Sequence, residues 1–187
     1  NIKYTTGTLT IGNVEIFNLL ISKLDIPKRW KLRLSKPLII PEINIKNISI
    51  KDSIIANPNC STILLCMVLF PLNKISSIKH LVISTYQALS GVGKKGIDEL
   101  HSQINSFNHG YIVKQKHFKS QCLNNVFSHD SPIDYNTGDN QEETKIIDET
   151  RKILNKPELI IDVTCIRVPV ERAHCESVYI EFEDEVN

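Results

Sequence analysis

The chain has 187 residues, 41 % of them hydrophobic and 23 % charged, and its 22 basic and 21 acidic residues leave a formal net charge of +1. That balance suits one ordinary soluble domain, or one and a half, with a core that can be buried; the lysines are dispersed and not interleaved with aromatics, which argues against nucleic acid and against an anionic membrane as partner. The longest apolar run, 63–72, falls well short of the roughly 20 residues of a membrane-spanning helix, no secretory leader is recognisable, and five cysteines without a C-x-x-C pair point to reduced thiols in a cytoplasmic setting rather than to disulfides.

In chain order, "TGTLTIGNVEIFNLLIS" (6–22) predicts a Gly/Thr turn and then a short amphipathic helix, with Val14, Phe17, Leu20 and Ile21 on one face. "PLIIPEINIKNISI" (37–50) alternates like a strand interrupted by proline. The run Ile63–Leu72 is apolar all round, which in a helix predicts burial on every side. "HLVIST" (80–85) predicts a buried strand, Gly91, Gly93 and Gly96 a loosened loop, and "IDELHSQI" a further helix. Residues 109–140 are polar and irregular, with "DYNTGDNQ" a surface loop. "EETKIIDETRKIL" (142–154) predicts a helix with Ile146, Ile147 and Ile153 inward and its charges outward; "ELIIDVTCIRVPV" and "ESVYIEFE" predict strands, the second with Val178, Ile180 and Phe182 on one face. The order is that of an α+β catalytic domain preceded by an incomplete β/α partner.

One stretch carries chemistry. In "ANPNCSTILLC" (56–66), Asn57 precedes a proline and is pushed out of the helical region, while Asn59 is a favoured N-cap, so a helix is expected to begin at Cys60 or Ser61. A thiol in a first helical turn meets unpaired N–H groups and the positive end of the dipole, which enriches the nucleophilic thiolate. The same position equally suits a small residue buried at a helix start. Cys66, inside the apolar run, is a core residue. His174 lies in a loop between two strands, where an imidazole can serve as acid or base. Arg167, in a β-branched strand, either reaches solvent or presents a fork to a carboxylate. Gln87 follows a buried strand, where substrate contacts gather in sheet proteins. The six histidines are scattered without metal-ligand spacing, and no metal is expected.

Together these segments resemble the aspartate-semialdehyde dehydrogenase family. "PLIIPEIN", "IIANPNCSTI" (54–63), "STYQALSGVGKKGIDEL" (84–100), "DETRKIL" (148–154) and "TCIRVPVERAHCESVYIEFE" (164–183) look like its consecutive signature blocks, and the steps of 27 residues from Cys60 to Gln87 and 7 from Arg167 to His174 match as well. The resemblance implies the catalytic, dimerisation-type domain over 53–187, preceded at 1–52 by a remnant of a Rossmann-like NADP-binding domain. It implies reductive dephosphorylation of L-aspartyl-4-phosphate by NADPH to L-aspartate 4-semialdehyde, a step toward lysine (through diaminopimelate), threonine, methionine and isoleucine. Cys60 is then the nucleophile that forms a thioester, His174 the general acid/base, and Asn59 the neighbour of the oxyanion. Arg167 holds the α-carboxylate and Gln87 orients the substrate. Glu142, with Glu143 as a one-residue alternative, meets the amino group, and Lys145 the phosphate. Ser90, Gly91 and Thr8 fall at cofactor-contacting positions. The partners implied are a small-molecule substrate, phosphate and a second copy of the chain as a homodimer.

The family's phosphate loop has the form G-A-T-G-A-V-G, whereas "TGTLTIG" (6–12) keeps Thr8 and Gly12 but has Thr6 and Leu9 where glycines belong. "DIPKRWKLRLS" (25–35) runs directly into "PLIIPEIN" without the intervening cofactor-domain segment, and the chain opens on Asn1 with Met67 its only methionine. It is therefore expected to be a truncated, internally deleted member, with an inactive or interaction-only remnant as the alternative. Asn124 and Asp130 stand where "FKSQCLNNVFSHDS" (118–131) is expected to be apolar, as does Glu171 ahead of His174. A related reductase acting on N-acetylglutamyl phosphate shares the cysteine chemistry, but "STYQALSG" and "RVPVERAHCE" speak against it.

Overall fold

Three short segments rich in β-branched residues open the chain, and they pair as strands. The computed structural model describes residues 2–5, 8–11, 14–17, 37–49, 52 and 55–185, the first three segments as backbone alone. β1 (Ile2–Thr5), β2 (Thr8–Ile11) and β3 (Val14–Phe17) form an antiparallel meander in which Thr8 lies opposite both Thr5 and Phe17. This corrects the predicted helix over 14–17: Val14 and Phe17 have helical spacing, but β-branched residues and non-local ladder bonds favour the pleated chain. The rest of that predicted helix, 18–22, lies outside the described residues. Thr8 is likewise corrected from a phosphate turn to a strand position.

The chain divides into two compact units, residues 1–77 with 148–159 and 186–187, and residues 78–147 with 160–185. In the first, the strand predicted over 37–50 survives only as a parallel bridge of Leu38 to Ala56; Pro41 then starts helix α1 (Pro41–Asn44), followed by a 3₁₀ turn at Ile45–Asn47. Proline fits the first helical position, and it holds Ile40 extended just before it. Asn44 closes the turn, its Oδ1 accepting from Ile40 N–H and its Nδ2 donating to Leu38 O, each at 2.8 Å. Helix α2 (Cys60–Ile75) buries Leu65, Cys66 and Leu69. Its opposite face, with Leu64, Met67 and Val68, is exposed, so burial is one-sided rather than all round. Cys66 packs with Leu38, Ile40 and Ile153.

The second unit is a mixed sheet in the order β5-β6-β4-β7, from β4 (Ile78–Gln87), β5 (Phe127–Ser128), β6 (Ile160–Arg167) and β7 (Cys175–Phe182). β4 runs parallel to β6 and antiparallel to β7. Leu81, Ile83, Thr85 and Gln87 face inward along β4 at the strand period of two. Val178, Ile180 and Phe182 are half-buried along β7 as predicted, alternating with exposed Ser177 and Tyr179, while Glu181 between the last two is half-buried as well. No described helix is long and apolar enough to cross a membrane.

After β4, a 3₁₀ turn (Leu89–Val92) leads into helix α3 (Lys94–Asn108). The glycines here do not loosen the chain. Gly93 takes φ +80° at the helix entry, and a Cβ on Gly96 would lie 2.2 Å from the backbone oxygen of Leu89. Gly96→Ala is therefore expected to cost about 2 kcal/mol or more, because backbone and not a flexible side chain must move; a lowered urea midpoint with an unchanged slope checks it. Helix α4 (Gln141–Leu154) ends where Asn155 adopts φ 54°, and Lys156 N–H returns to Arg151 O at 2.8 Å. Ile146 and Ile153 are buried as predicted, but so are Glu142, Glu143 and Glu149. Asn124, expected to stand in place of an apolar side chain, is exposed at φ 53°, and Glu171 is exposed with its carboxylate 2.6 Å from His101 Nε2. Neither brings an unpaired polar group into the core.

Candidate active site

Parallel strands β4 and β6 stop in register, with Gln87 opposite Arg167. Side chains at the carboxyl ends of parallel strands, clear of the helices that follow, are where sheet proteins gather ligand-binding groups. Both residues are buried, Gln87 at 1 % and Arg167 at 3 % exposure, so each must be held by polar partners. Arg167 Nη1 donates to Ala88 O at 3.3 Å, and Nη2 donates to His129 Nε2 at 2.7 Å. The Phe118 ring lies 5.7 Å from the guanidinium carbon. Gln87 Nε2 donates to Glu142 Oε1 at 3.4 Å, and Lys145 Nζ stands 3.3 Å from Glu142 Oε2.

Glu142 and Glu143 have different partners. Glu143 accepts Cys165 N–H at 2.9 Å and Asn140 N–H at 2.7 Å, while Asn140 Oδ1 accepts Glu142 N–H at 2.9 Å and Glu143 N–H at 3.0 Å. That is a reciprocal cap of α4 tied to β6, with both carboxylate oxygens of Glu143 used. Glu142 is the carboxylate beside Gln87 and Lys145.

Beyond β6 the chain stays bonded to the β4 exit: Val168 N–H donates to Gln87 O, Leu89 N–H to Val170 O and Ser90 N–H to Glu171 O, at 2.9–3.1 Å. Ala173 then turns through φ 72°, an unfavourable conformation for a residue with a Cβ, at a cost of about 1 kcal/mol. The next residue, His174, accepts Ala88 N–H on Nδ1 at 3.1 Å. Its neutral form therefore carries the proton on Nε2. Burial first, and then the Arg167 charge, lower the His174 pKa from 6.5, with Glu142 opposing. The imidazole is held neutral where an acid/base residue is expected. Gly91 borders the same space. A Cβ there would stand 2.8 Å from Arg167 Nη1 and 3.5 Å from His174 Nε2.

The second unit thus brings together Gln87, Ser90, Gly91, Glu142, Lys145, Arg167 and His174. In the first unit, Cys60 opens α2 as expected, exposed, with Asn59 as its N-cap: Oδ1 accepts Ser61 N–H at 2.9 Å and Thr62 N–H at 3.3 Å. Asn59 N–H itself donates to the fully buried Glu149 at 2.5 Å. Cys66, Cys122 and Cys165 are buried, and burial pushes the thiols of the last two up to about 12, so they are inert as nucleophiles. Cys175 is the other exposed thiol among the five. Two residues that matter to this geometry are not among those singled out from the sequence. Glu149 has the look of an outward charge on α4, and His129 sits in an irregular polar segment. Among the described residues there is no cluster of three potential metal ligands.

The sequence profile of the semialdehyde dehydrogenase dimerisation domain matches residues 69–187. An aspartate-semialdehyde dehydrogenase of Prochlorococcus marinus is 43 % identical over 161 residues, covering 86 % of this chain and 47 % of the relative. One of Rickettsia bellii is 44 % identical over 170 residues, covering 87 % and 48 %. The chain spans about half the length of the curated relatives it matches. A solved structure of aspartate semialdehyde dehydrogenase II from Vibrio cholerae, complexed with ASA, superposes with a TM-score of 0.77 at 34 % identity, over 85 % of this chain and 48 % of that one. The chain belongs to the semialdehyde dehydrogenase family and carries its dimerisation domain.

Proposed function

We propose that this chain carries the substrate-binding and acyl-transfer chemistry of an aspartate-semialdehyde dehydrogenase, working between L-aspartyl-4-phosphate and L-aspartate 4-semialdehyde. The observation that supports this most directly is the convergence of Arg167, Gln87, Glu142, Lys145 and His174 at the ends of β4 and β6. An α-amino acid head group needs a cationic fork for its carboxylate and a carboxylate for its ammonium; Arg167 and Glu142 supply them. Cys60 Sγ, as thiolate, attacks C4 of the acyl phosphate; the bond from C4 to the phosphate oxygen breaks, and phosphate leaves with the electron pair, its charge met by Lys145. In the opposite direction the thiolate adds to the C4 aldehyde. His174 then offers Nε2–H to the oxygen on which charge builds, the acid half of its acid/base role. Asn59 joins it at that oxygen as a polar neighbour.

The nicotinamide cofactor, when bound, would supply the hydride as NADPH or receive it as NADP+. Ser90 and Gly91 are the residues the family resemblance sets at its nicotinamide end, and the absence of a Cβ at Gly91 keeps the close approach to Arg167 and His174 free of a clash. Thr8 does not fit, because β1–β3 form an antiparallel ladder rather than a phosphate turn leading into a helix. This observation favours a second reading, in which the chain, with residues 1–52 a remnant, binds substrate without turning over by itself. As in the family domain's description, a homodimer is proposed. The sheet face bearing Val82, Tyr86, Ile160 and Tyr179 is exposed and offers apolar surface for it.

Alkylation of the full chain by iodoacetamide, followed by peptide mass spectrometry, tests the reading. Aspartate semialdehyde is expected to slow alkylation of Cys60 and leave Cys175 unchanged; equal rates at Cys60 with and without it would overturn the proposal. Addition of phosphate and NADP separates the two readings: NADPH absorbance appears if the chain is a complete catalyst and stays absent if it is the remnant.

A further inference from the structure

We infer that His129 is a positioning residue for the α-carboxylate receptor: as a hydrogen-bond acceptor it fixes the plane of Arg167 and, through Ser131 and Asn140, ties that plane to Glu142. This rests on the substrate reading above. The directions of the bonds follow from the partners. A guanidinium only donates, so His129 Nε2, 2.7 Å from Arg167 Nη2, must accept. The proton then resides on Nδ1, which donates to Ser131 Oγ at 3.0 Å. Ser131 Oγ–H donates in turn to Asn140 Oδ1 at 3.3 Å, and the N–H of Glu142 points at both, 3.3 Å from Ser131 Oγ and 2.9 Å from Asn140 Oδ1.

The groups that hold the amino acid's two charged ends thereby become one hydrogen-bonded unit. Its backbone is fixed as well: β5 pairs Phe127 with Arg167, and His129 N–H donates to Cys165 O at 2.8 Å. The surrounding charges agree with a neutral ring. Burial first, then Arg167 and Lys145, oppose protonation of His129, outweighing Glu142 and Asp130, and its pKa is lowered to about 4. An imidazolium would set a second donor against the guanidinium.

Calorimetric titration of the full chain with L-aspartate and with β-alanine, which lacks the α-carboxylate, tests this. Wild type is expected to prefer L-aspartate. His129→Ala should weaken L-aspartate by about tenfold or more with β-alanine unchanged, and His129→Gln, whose amide oxygen reaches the place of Nε2, should recover to within about threefold. A preference kept intact in His129→Ala overturns the role of His129 alone, whereas no preference in wild type overturns the substrate reading beneath it. Nitrogen-15 NMR of the wild-type imidazole gives a readout independent of any variant's folding. The expected form at pH 7 is neutral with the proton on Nδ1, and a proton found on Nε2 overturns the proposal.

Discussion

Arg167→Lys is expected to lower the affinity for L-aspartate by about a hundredfold or more while leaving the chain folded, because truncating one side of a desolvated charge pair costs about 2–5 kcal/mol. Arg167 is almost wholly buried, pinned by Ala88 O on one nitrogen and His129 Nε2 on the other, with Phe118 nearby. An ammonium keeps the charge, and it can still donate to His129, which limits the loss of stability. It has no planar fork, so a carboxylate loses the paired geometry that a guanidinium offers. Calorimetry gives the affinity, and a melt followed by circular dichroism separates it from misfolding. Unchanged L-aspartate affinity in the lysine variant would remove Arg167 from the receptor. Arg167→Ala is the harsher case: it strips His129 and Ala88 O of their donor and leaves a cavity beside Phe118, so it is expected to lose stability as well as affinity.

What the sequence alone makes legible divides by the range of the interactions. The start of α2 is legible because its cause is local. Pro58 excludes Asn57 from the helix, and Asn59 caps the amides of Ser61 and Thr62. Helix α1 departs from the expected strand for an equally local reason, since Pro41 suits a first helical residue as well as a strand interruption. β3 is ambiguous in sequence because the deciding partner is distant: Phe17 pairs with Thr8, and only that ladder chooses between two compatible periods. His129 cannot be singled out by pattern, because a two-residue strand has no period and its partner Arg167 lies 38 residues on. On α4 a signal is present that the expected outward charges do not respect. Glu142, Ile146, Glu149 and Ile153 follow one another at steps of four, three and four, a single inward stripe on which two positions are carboxylates. A charge at apolar spacing marks a helix face where burial demands a specific partner. Here Glu142 faces Gln87 and Lys145, and Glu149 faces the backbone amide of Asn59 at the start of α2.

That last contact carries the second large prediction. Glu149 is fully buried and accepts the N–H of Asn59, the residue whose side chain in turn caps Ser61 and Thr62 at the start of α2. Removing the carboxylate strands a buried amide and opens a cavity, so Glu149→Ala is expected to cost about 3–5 kcal/mol, while Glu149→Gln, which keeps an acceptor of the same reach and loses only the charge, should cost about 1 kcal/mol. The ordering of the two variants is the diagnostic, read as urea midpoints at constant slope. A second consequence reaches function. With Asn59 no longer anchored, the first turn of α2 is expected to fray, weakening the helix N-terminus whose positive end favours a thiolate at Cys60. Alkylation of Cys60 relative to the exposed Cys175 should then slow in Glu149→Ala at pH 7, and recover in Glu149→Gln. Equal stability of the alanine variant and wild type would show that Asn59 is held by something other than Glu149. Loss of stability with the Cys60 rate unchanged would confine Glu149 to the fold and separate it from the chemistry of the thiol.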